Sequence, residues 1–426
     1  MKYRKIKTQA YNLHVIKTNK FKTITVEVCF KSKLNKEEIT YRNLLINTLC
    51  EACNKYKTKR EMSIATEELY ELSYQATNYI SGAYNVMCFD ITFLNDKYTE
   101  DGNFEASLDF LCEILFMPLI ESSYASTRFN KKNFELSYNL LEENIKTIKE
   151  NPSLYSKMRL FEIMAPNSIH SYRSCGYLED LKSVTPAKLY DYYLKMLKSD
   201  ILDIFVIGDI TESRVKKAIT ERFKIHTLKK KSESHFVSMK RTRLLPKKVV
   251  EKMDLSQSQL ALGYKLDKTT DFERRYVMNV LSYILGGGPD SKLFKEVREA
   301  NSLCYSISSR GLPLNNALYI TAGISAKDFK QAVSLIKKNV KSMEKGEFES
   351  DDIMKAKVTY MNSIKELEDN PQNLLSMYTG MEYLGSDDIN DRIKKISKVT
   401  KKDLMRLASK LHLDVIYLLK GACNED

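Results

Sequence analysis

Five histidines, eight cysteines, a run of three glycines and one arginine–tyrosine pair carry most of the chemistry open to this sequence. The imidazoles are His14, His170, His226, His235 and His412. A catalytic zinc ion needs three protein ligands, commonly including two neutral histidines four residues apart on one helix face. No two of the five have that spacing, and the nearest pair, His226 and His235, is nine apart. A helical histidine-pair zinc site is therefore excluded. The cysteines are Cys29, Cys50, Cys53, Cys88, Cys112, Cys175, Cys304 and Cys423. Cys50 and Cys53 form a C-x-x-C, but no second such pair, spaced histidines or thioredoxin-like βαβ context supports a metal or redox role. Most of the cysteines sit among apolar residues and are expected to be reduced core residues. Gly286-Gly287-Gly288 follows a helix and lacks the G-K-[ST] ending of a phosphate loop. In REANSLCY, Arg298 and Tyr305 place a guanidinium and a phenol seven residues apart. Both are donors that can hold a peptide carbonyl and support charge developing on it. Taken alone, they read as a surface helix residue and a strand residue.

The elements that must position these groups alternate between strand and helix patterns. Residues 22–30 (KTITVEVCF) are β-branched and alternate, so they read as a strand. Helical spacing predicts helices over 37–56, 63–72, 104–115 and 127–149, with a long strand at 84–94. Pro152 is read as following the stop of the last of these helices. Thr185 is an N-cap with Pro186 at the first helical position, and 201–207 is a buried strand closed by Gly208. Residues 227–247 are polar and basic and read as an inter-domain linker. The order then restarts: strands at 256–264, 305–309, 317–324 and 415–419, and helices at 271–285, 328–345, 350–369 and 399–410. The closing segments 189–209 and 403–421 resemble each other, each a helix running into an apolar strand that stops at glycine. A large duplication follows, with two tandem α+β halves at 1–226 and 248–426 around the linker.

The chain has 426 residues, 43% apolar and 29% charged, as expected of a globular protein with substantial cores. No run of eighteen apolar residues is present, so no membrane span is expected. The first twenty residues hold five lysines, one arginine and no apolar segment. They do not read as a secretory signal, and a cytoplasmic location is expected. The net charge of +13 raises a nucleic-acid partner, which would show as steep loss of binding with salt. The lysines are spread, however, and acidic residues are nearly as dense. The compact run Lys229-Lys230-Lys231 lies in the linker. A solvated lysine-rich surface is the better reading, with neither nucleic acid nor membrane as partner.

Four strings together resemble one family. LGGGPDSKLFKEVREANSLCYSISSR (285–310) is the most specific; NPSLY (151–155), CGYLEDLKSVTPAKLYDYY (175–193) and VIGDI (206–210) follow the same order and approximate spacing. They resemble the M16 (insulinase, mitochondrial processing peptidase) metallopeptidases over nearly the whole chain, in particular the non-catalytic YmfF-type members. The resemblance implies two sandwich halves of the M16/LuxS-like metallohydrolase type, forming half of a clamshell around a cavity. It also implies a lost metal site. Where the family carries H-x-x-E-H, this chain has N-L-L-I-N at 43–47. Asn43 and Asn47 stand at the ligand positions and Ile46 at the general-base position. The family's third ligand, a glutamate on a later helix, falls at Glu143 or Asn144. Neutral amides are poor zinc ligands and an alkyl chain cannot move a proton. The same resemblance assigns Arg298 and Tyr305 to gripping the substrate backbone. It places Thr77, Asn78 and Tyr79 on an edge strand that takes up extended peptide by β-addition. The implied function is a non-catalytic subunit that binds and positions peptide for an H-x-x-E-H-bearing homologue in a heterodimer. No cofactor is expected in this chain, since zinc would sit in that partner. The alternative is a stand-alone peptide-binding or scaffold protein, perhaps a homodimer.

Overall fold

The computed structural model of the chain describes residues 1–99, 102–124, 126–224 and 233–421. His226, the Lys229–Lys231 run, Cys423 and residues 227–232 of the expected linker lie outside the described residues. In the first part of the chain the elements are β1 (Lys2–Lys7), β2 (Asn12–Lys17), β3 (Thr23–Lys33), α1 (Lys36–Glu51), α2 (Lys59–Glu68), β4 (Ser73–Ser81), β5 (Tyr84–Leu94) and α3 (Asn103–Phe116). A short hairpin, β6 (Ile120–Ser122) and β7 (Thr127–Phe129), leads to α4 (Lys131–Lys146), α5 (Pro152–Met164), α6 (Leu178–Leu181), α7 (Pro186–Ser199), β8 (Ile201–Gly208) and α8 (Glu212–Arg222). The second part holds β9 (Lys247–Met253), β10 (Ser258–Leu266), α9 (Met278–Gly286), β11 (Cys304–Leu312), β12 (Ala317–Ile324), α10 (Phe329–Lys345), α11 (Ser350–Glu366), α12 (Pro371–Leu384), α13 (Ile389–Ser397), α14 (Lys401–Ser409) and β13 (Leu411–Gly421).

The chain divides into two compact units, and they are not the continuous halves read from the sequence. Unit 1 is Met1–Lys146, Arg173–Ser234 and Asp369–Tyr383; unit 2 is Thr147–Tyr172, His235–Glu368 and Leu384–Asp426. Each unit thus takes one helix from the opposite half of the sequence: α12 in unit 1, α5 in unit 2. Both open on the same dipeptide. Asn151 caps α5 by accepting from Leu154 N at 3.0 Å, and Asn370 accepts from Gln372 N at 2.8 Å ahead of α12. Proline follows in each case, at the position where its missing N–H costs nothing. Pro152 therefore starts a helix rather than trailing one. The expected single helix over 127–149 is also two elements, because Glu121 accepts from the Asn130 amide (3.0 Å) and Lys131 N (3.1 Å) and ends the hairpin there.

In unit 1 the sheet order is β1-β2-β8-β3-β5-β4. All pairs are antiparallel except β2 with β8. The alternation of β3 sends Ile24, Val26, Val28 and Phe30 into a core with Leu44, Leu45 and Leu49 of α1, Leu108 and Leu111 of α3, and Leu189 of α7. Each such side chain, fully buried, contributes about 1.5–3 kcal/mol. The other face of β3 presents Thr25, Glu27, Cys29 and Lys31. In unit 2 the order is β11-β12-β10-β13-β9, with β13 and β9 parallel. That order repeats β4-β5-β3-β8-β2, leaving β1 as the added strand. The repeat extends to a buried ion pair. Lys31 on β3 faces Asp203 on β8 at 3.7 Å, and Lys265 on β10 faces Asp414 on β13 at 3.3 Å. In unit 2, α5 covers the second sheet face: Leu160, Ile163 and Met164 pack on Ala261, Tyr319 and Tyr417. A Cβ at Gly263 would stand 2.2 Å from Met164 Sδ, so only glycine admits the helix there.

Candidate functional site

Helix α1 carries the position of the lost metal site. Asn35 caps it, accepting from Glu37 N at 3.2 Å. Its inner face is fixed by Arg42, whose buried guanidinium pairs with Asp200 and donates to Phe30 O at 3.4 Å. Asn43 Nδ2 donates to Ile39 O (2.9 Å) and to Ser174 O (2.8 Å), tying the 173–177 loop to the helix. That loop turns at Gly176 with φ +87°, and Tyr177 N donates to Thr40 Oγ1 at 3.0 Å. Ile46 is 6% exposed and belongs to the core. Asn47 is half-buried one turn beyond Asn43. Helix α4 packs along α1, with Glu143 and Asn144 exposed near its end. The helices that would hold a metal are side by side, but α1 presents amides and an alkyl chain. The described histidines serve elsewhere. His14 bonds Tyr3 (2.8 Å) and faces Asp203; His170 bonds Asn315 (2.8 Å), His412 bonds Asp267 (2.7 Å), and His235 is buried.

Arg298 and Tyr305 come together in unit 2. Residues Phe294–Glu299 form a π-helical turn, anchored by buried Val297. Ser302 (φ +51°) reverses the chain, and Leu303 N donates to Val297 O at 3.0 Å. The strand that follows is β11, and its register shifts between Cys304 and Ser306. Tyr305 is the bulged residue, a position that re-aims a side chain out of the sheet pattern. It is 76% exposed. The Arg298 guanidinium lies 4.5 Å from the Phe294 ring centroid and 5.6 Å from that of Tyr305. Among the described residues no carboxylate or carbonyl engages it. A half-buried guanidinium held by two rings, beside a solvent-facing phenol, is built to receive an external acceptor. The glycine run just before this turn is a packing device. Added Cβ atoms would lie 2.7 Å from Ser309 N at Gly286 and 2.6 Å from Tyr283 Cα at Gly287.

Thr77, Asn78 and Tyr79 lie on β4, the edge strand of the unit 1 sheet. Thr77 and Tyr79 point to the partly open face, while the Asn78 amide is buried on the helix side without a hydrogen-bond partner. β4 and β11 occupy equivalent edges of the two sheets, so the two candidate peptide-contacting regions fall on corresponding strands. Cys50 and Cys53 make no metal-type cluster among the described residues. Burial pushes the Cys50 thiol up to about 12, and Tyr56 N donates to Cys53 Sγ at 3.4 Å.

The sequence reading missed a polar cluster on the face of the unit 1 sheet that α12 covers. Cys29 and Cys88 are cross-strand partners on β3 and β5 and form a disulfide. This corrects the expectation of reduced cysteines for these two, while Cys50, Cys53, Cys112, Cys175 and Cys304 are free. One step along, Glu27 faces Asp90 in register. Burial raises the pKa of both carboxyls, Glu27 well above the usual range and Asp90 to about 6, so the pair shares a proton. Thr379 of α12 donates to Glu27 Oε1 at 3.1 Å. The signal available in the sequence was the second strand face, where 27, 29, 88 and 90 recur at spacing two.

Comparison with known proteins agrees with this geometry. Residues 183–360 match the family described as the peptidase M16 inactive domain. Over 413 residues, 96% of this chain and 95% of the relative, the sequence is 29% identical to the probable inactive metalloprotease YmfF of Bacillus subtilis (strain 168). The uncharacterized zinc protease YmxG of the same bacterium is 24% identical over 266 residues, 62% of this chain and 61% of the relative. The crystal structure of a conserved protein from Enterococcus faecalis V583 superposes with a TM-score of 0.92 at 27% identity and covers 100% of both chains.

Proposed function

Because this chain belongs to the M16 metallopeptidase family and lacks the family's zinc motif, we propose that it is the non-catalytic subunit of a peptidase pair, binding and positioning peptide for a zinc-bearing homologue. The observation that carries the reading is the Arg298–Tyr305 pair, assembled and unengaged, in a chain whose α1 helix offers no metal ligand. In the pair, the guanidinium and phenol would hold the substrate carbonyl as charge develops on it, while the homologue's zinc-bound water attacks. β4 would add an extended peptide by backbone hydrogen bonds, which tolerates many sequences. The coexistence in one bacterium of an inactive and a zinc-protease relative supports such a division of labour. The free cysteines support a reducing, cytoplasmic location.

The test is steady-state cleavage of an extended peptide by the mixture of this chain and an H-x-x-E-H homologue from the same genome. Arg298→Ala should lower the mixture's rate about a hundredfold, the scale of losing one transition-state donor, and Arg298→Lys should restore part of it. An unchanged rate in Arg298→Ala would remove this role. A stand-alone peptide-binding scaffold is the second reading, favoured by the open β4 edge. It is the outcome if the chain binds peptide without a homologue and tolerates Arg298→Ala and Tyr305→Phe.

A further inference from the structure

We infer that the α12-covered face of the unit 1 sheet holds a second, non-hydrolytic metal site, in which Cys29, Cys88, Glu27 and Asp90 take a thiolate-preferring divalent ion such as zinc once the Cys29–Cys88 bond is reduced. The ligand atoms of Glu27, Cys29 and Cys88 already lie within 4.8 Å of one another. Zinc–sulfur and zinc–oxygen bonds of about 2.3 and 2.0 Å set ligand separations below that, so small side-chain rotations close the cage. The fourth donor is Asp90. It stands in register opposite Glu27 and two residues beyond Cys88 on the same strand face. It is 7% exposed, and its Oδ1 has no hydrogen-bond partner among the described residues. A buried, unsatisfied carboxylate oxygen is costly unless something charged or protic reaches it. Beside a carboxyl with which it shares a proton and two sulfurs, a divalent cation fits that need. Lys31, two residues along β3 from Cys29, already pairs with Asp203 (3.7 Å), so it leaves the Glu27–Asp90 pair without a cation of its own.

The chemistry balances with one external dithiol. The reductant gives two electrons and two protons, becomes a disulfide, and leaves Cys29 and Cys88 as thiols. The ion then displaces both thiol protons and the proton shared by Glu27 and Asp90. Two thiolates and two carboxylates select zinc, cobalt or cadmium over magnesium or calcium. Four protein ligands leave no open position for a water, so the site is structural and distinct from any hydrolytic centre. The inference does not depend on the peptide-binding reading, since it lies on different side chains.

Cobalt(II) is the probe. The full chain is reduced with a dithiol, desalted and titrated, and thiolate-to-cobalt charge-transfer absorption is recorded. One equivalent should bind, zinc should displace it, and the oxidised chain should show no band. Cys50→Ser/Cys53→Ser should keep the band. Glu27→Gln and Asp90→Asn should each weaken cobalt affinity at least tenfold. Cys29→Ser/Cys88→Ser should lose the band with its circular dichroism intact. If that double variant does not fold, the oxidised wild-type chain is the same-sequence control. No thiolate band in the reduced chain, a band in the oxidised chain, or loss of the band with Cys50→Ser/Cys53→Ser would overturn the site.

Discussion

Asp90 and Glu27 illustrate what a single strand register does to a titration. Held opposite each other under α12, neither carboxyl can ionise freely, and burial carries Asp90 from 3.8 to about 6. A carboxyl whose folded pKa is raised binds its proton more tightly in the native state. Its contribution is fully present below the unfolded value near 4 and is lost as pH rises through about 6. Urea unfolding of the oxidised chain between pH 4 and 7 should show this as a decline on the order of 3 kcal/mol, from about 1.4 kcal/mol per pKa unit. Asp90→Asn should flatten the decline; an identical slope in wild type and variant would refute the shared proton. This pair was not legible in the sequence, because the meaning of Glu27 and Asp90 depends on which residue of β5 faces which residue of β3. Arg298 and Tyr305 were legible, since both sit in one short string whose turn closes locally. The bulge that turns Tyr305 outward was not, as it is defined only against β12.

At the scale of elements, loop 173–177 and strand β4 are the parts that position the candidate site. Gly176 has φ +87°, and a Cβ there would approach Thr40 Oγ1 to 2.7 Å and its backbone Cα to 3.0 Å. Gly176→Ala should cost about 2 kcal/mol, the usual scale for a side chain forced into that region. Amide exchange should also quicken at the start of α1, where Tyr177 N and Ser174 O are bound. A variant as stable as wild type would mean the loop is not what holds α1. β4 has a free outer edge in its sheet. Adding a saturating extended peptide should slow hydrogen exchange at alternate amides of Ser73–Ser81, as a new ladder forms. Unchanged exchange throughout β4 would exclude β-addition there. Strand β5 and helix α7 read cleanly from the sequence because alternation and the Thr185–Pro186 cap are local signals. The destinations of α5 and α12 did not. Both begin Asn-Pro, but nothing local says that each will be buried on the sheet built by the other half of the sequence. The partners that decide it, Met164 against Gly263 and Thr379 against Glu27, are far apart along the chain.

For the molecule as a whole, the repeated strand order and the paired Lys–Asp contacts carry the duplication further than the closing segments at 189–209 and 403–421 do. After duplication the copies divide their tasks: unit 1 keeps the two-helix frame of a metal site without its ligands, and unit 2 presents a guanidinium and a phenol. Among the described residues no helix is long and apolar enough to cross a membrane. The central claim is that such a molecule contributes grip and geometry but no hydrolysis. The direct measurement is cleavage of one extended peptide by the purified chain, by its H-x-x-E-H homologue, and by their equimolar mixture, with zinc quantified in each. The expected result is no turnover by this chain and at least a tenfold gain of the mixture over the homologue alone. Peptide cleavage by this chain on its own, lost when Asn43 or Asn47 of α1 is replaced, would contradict it.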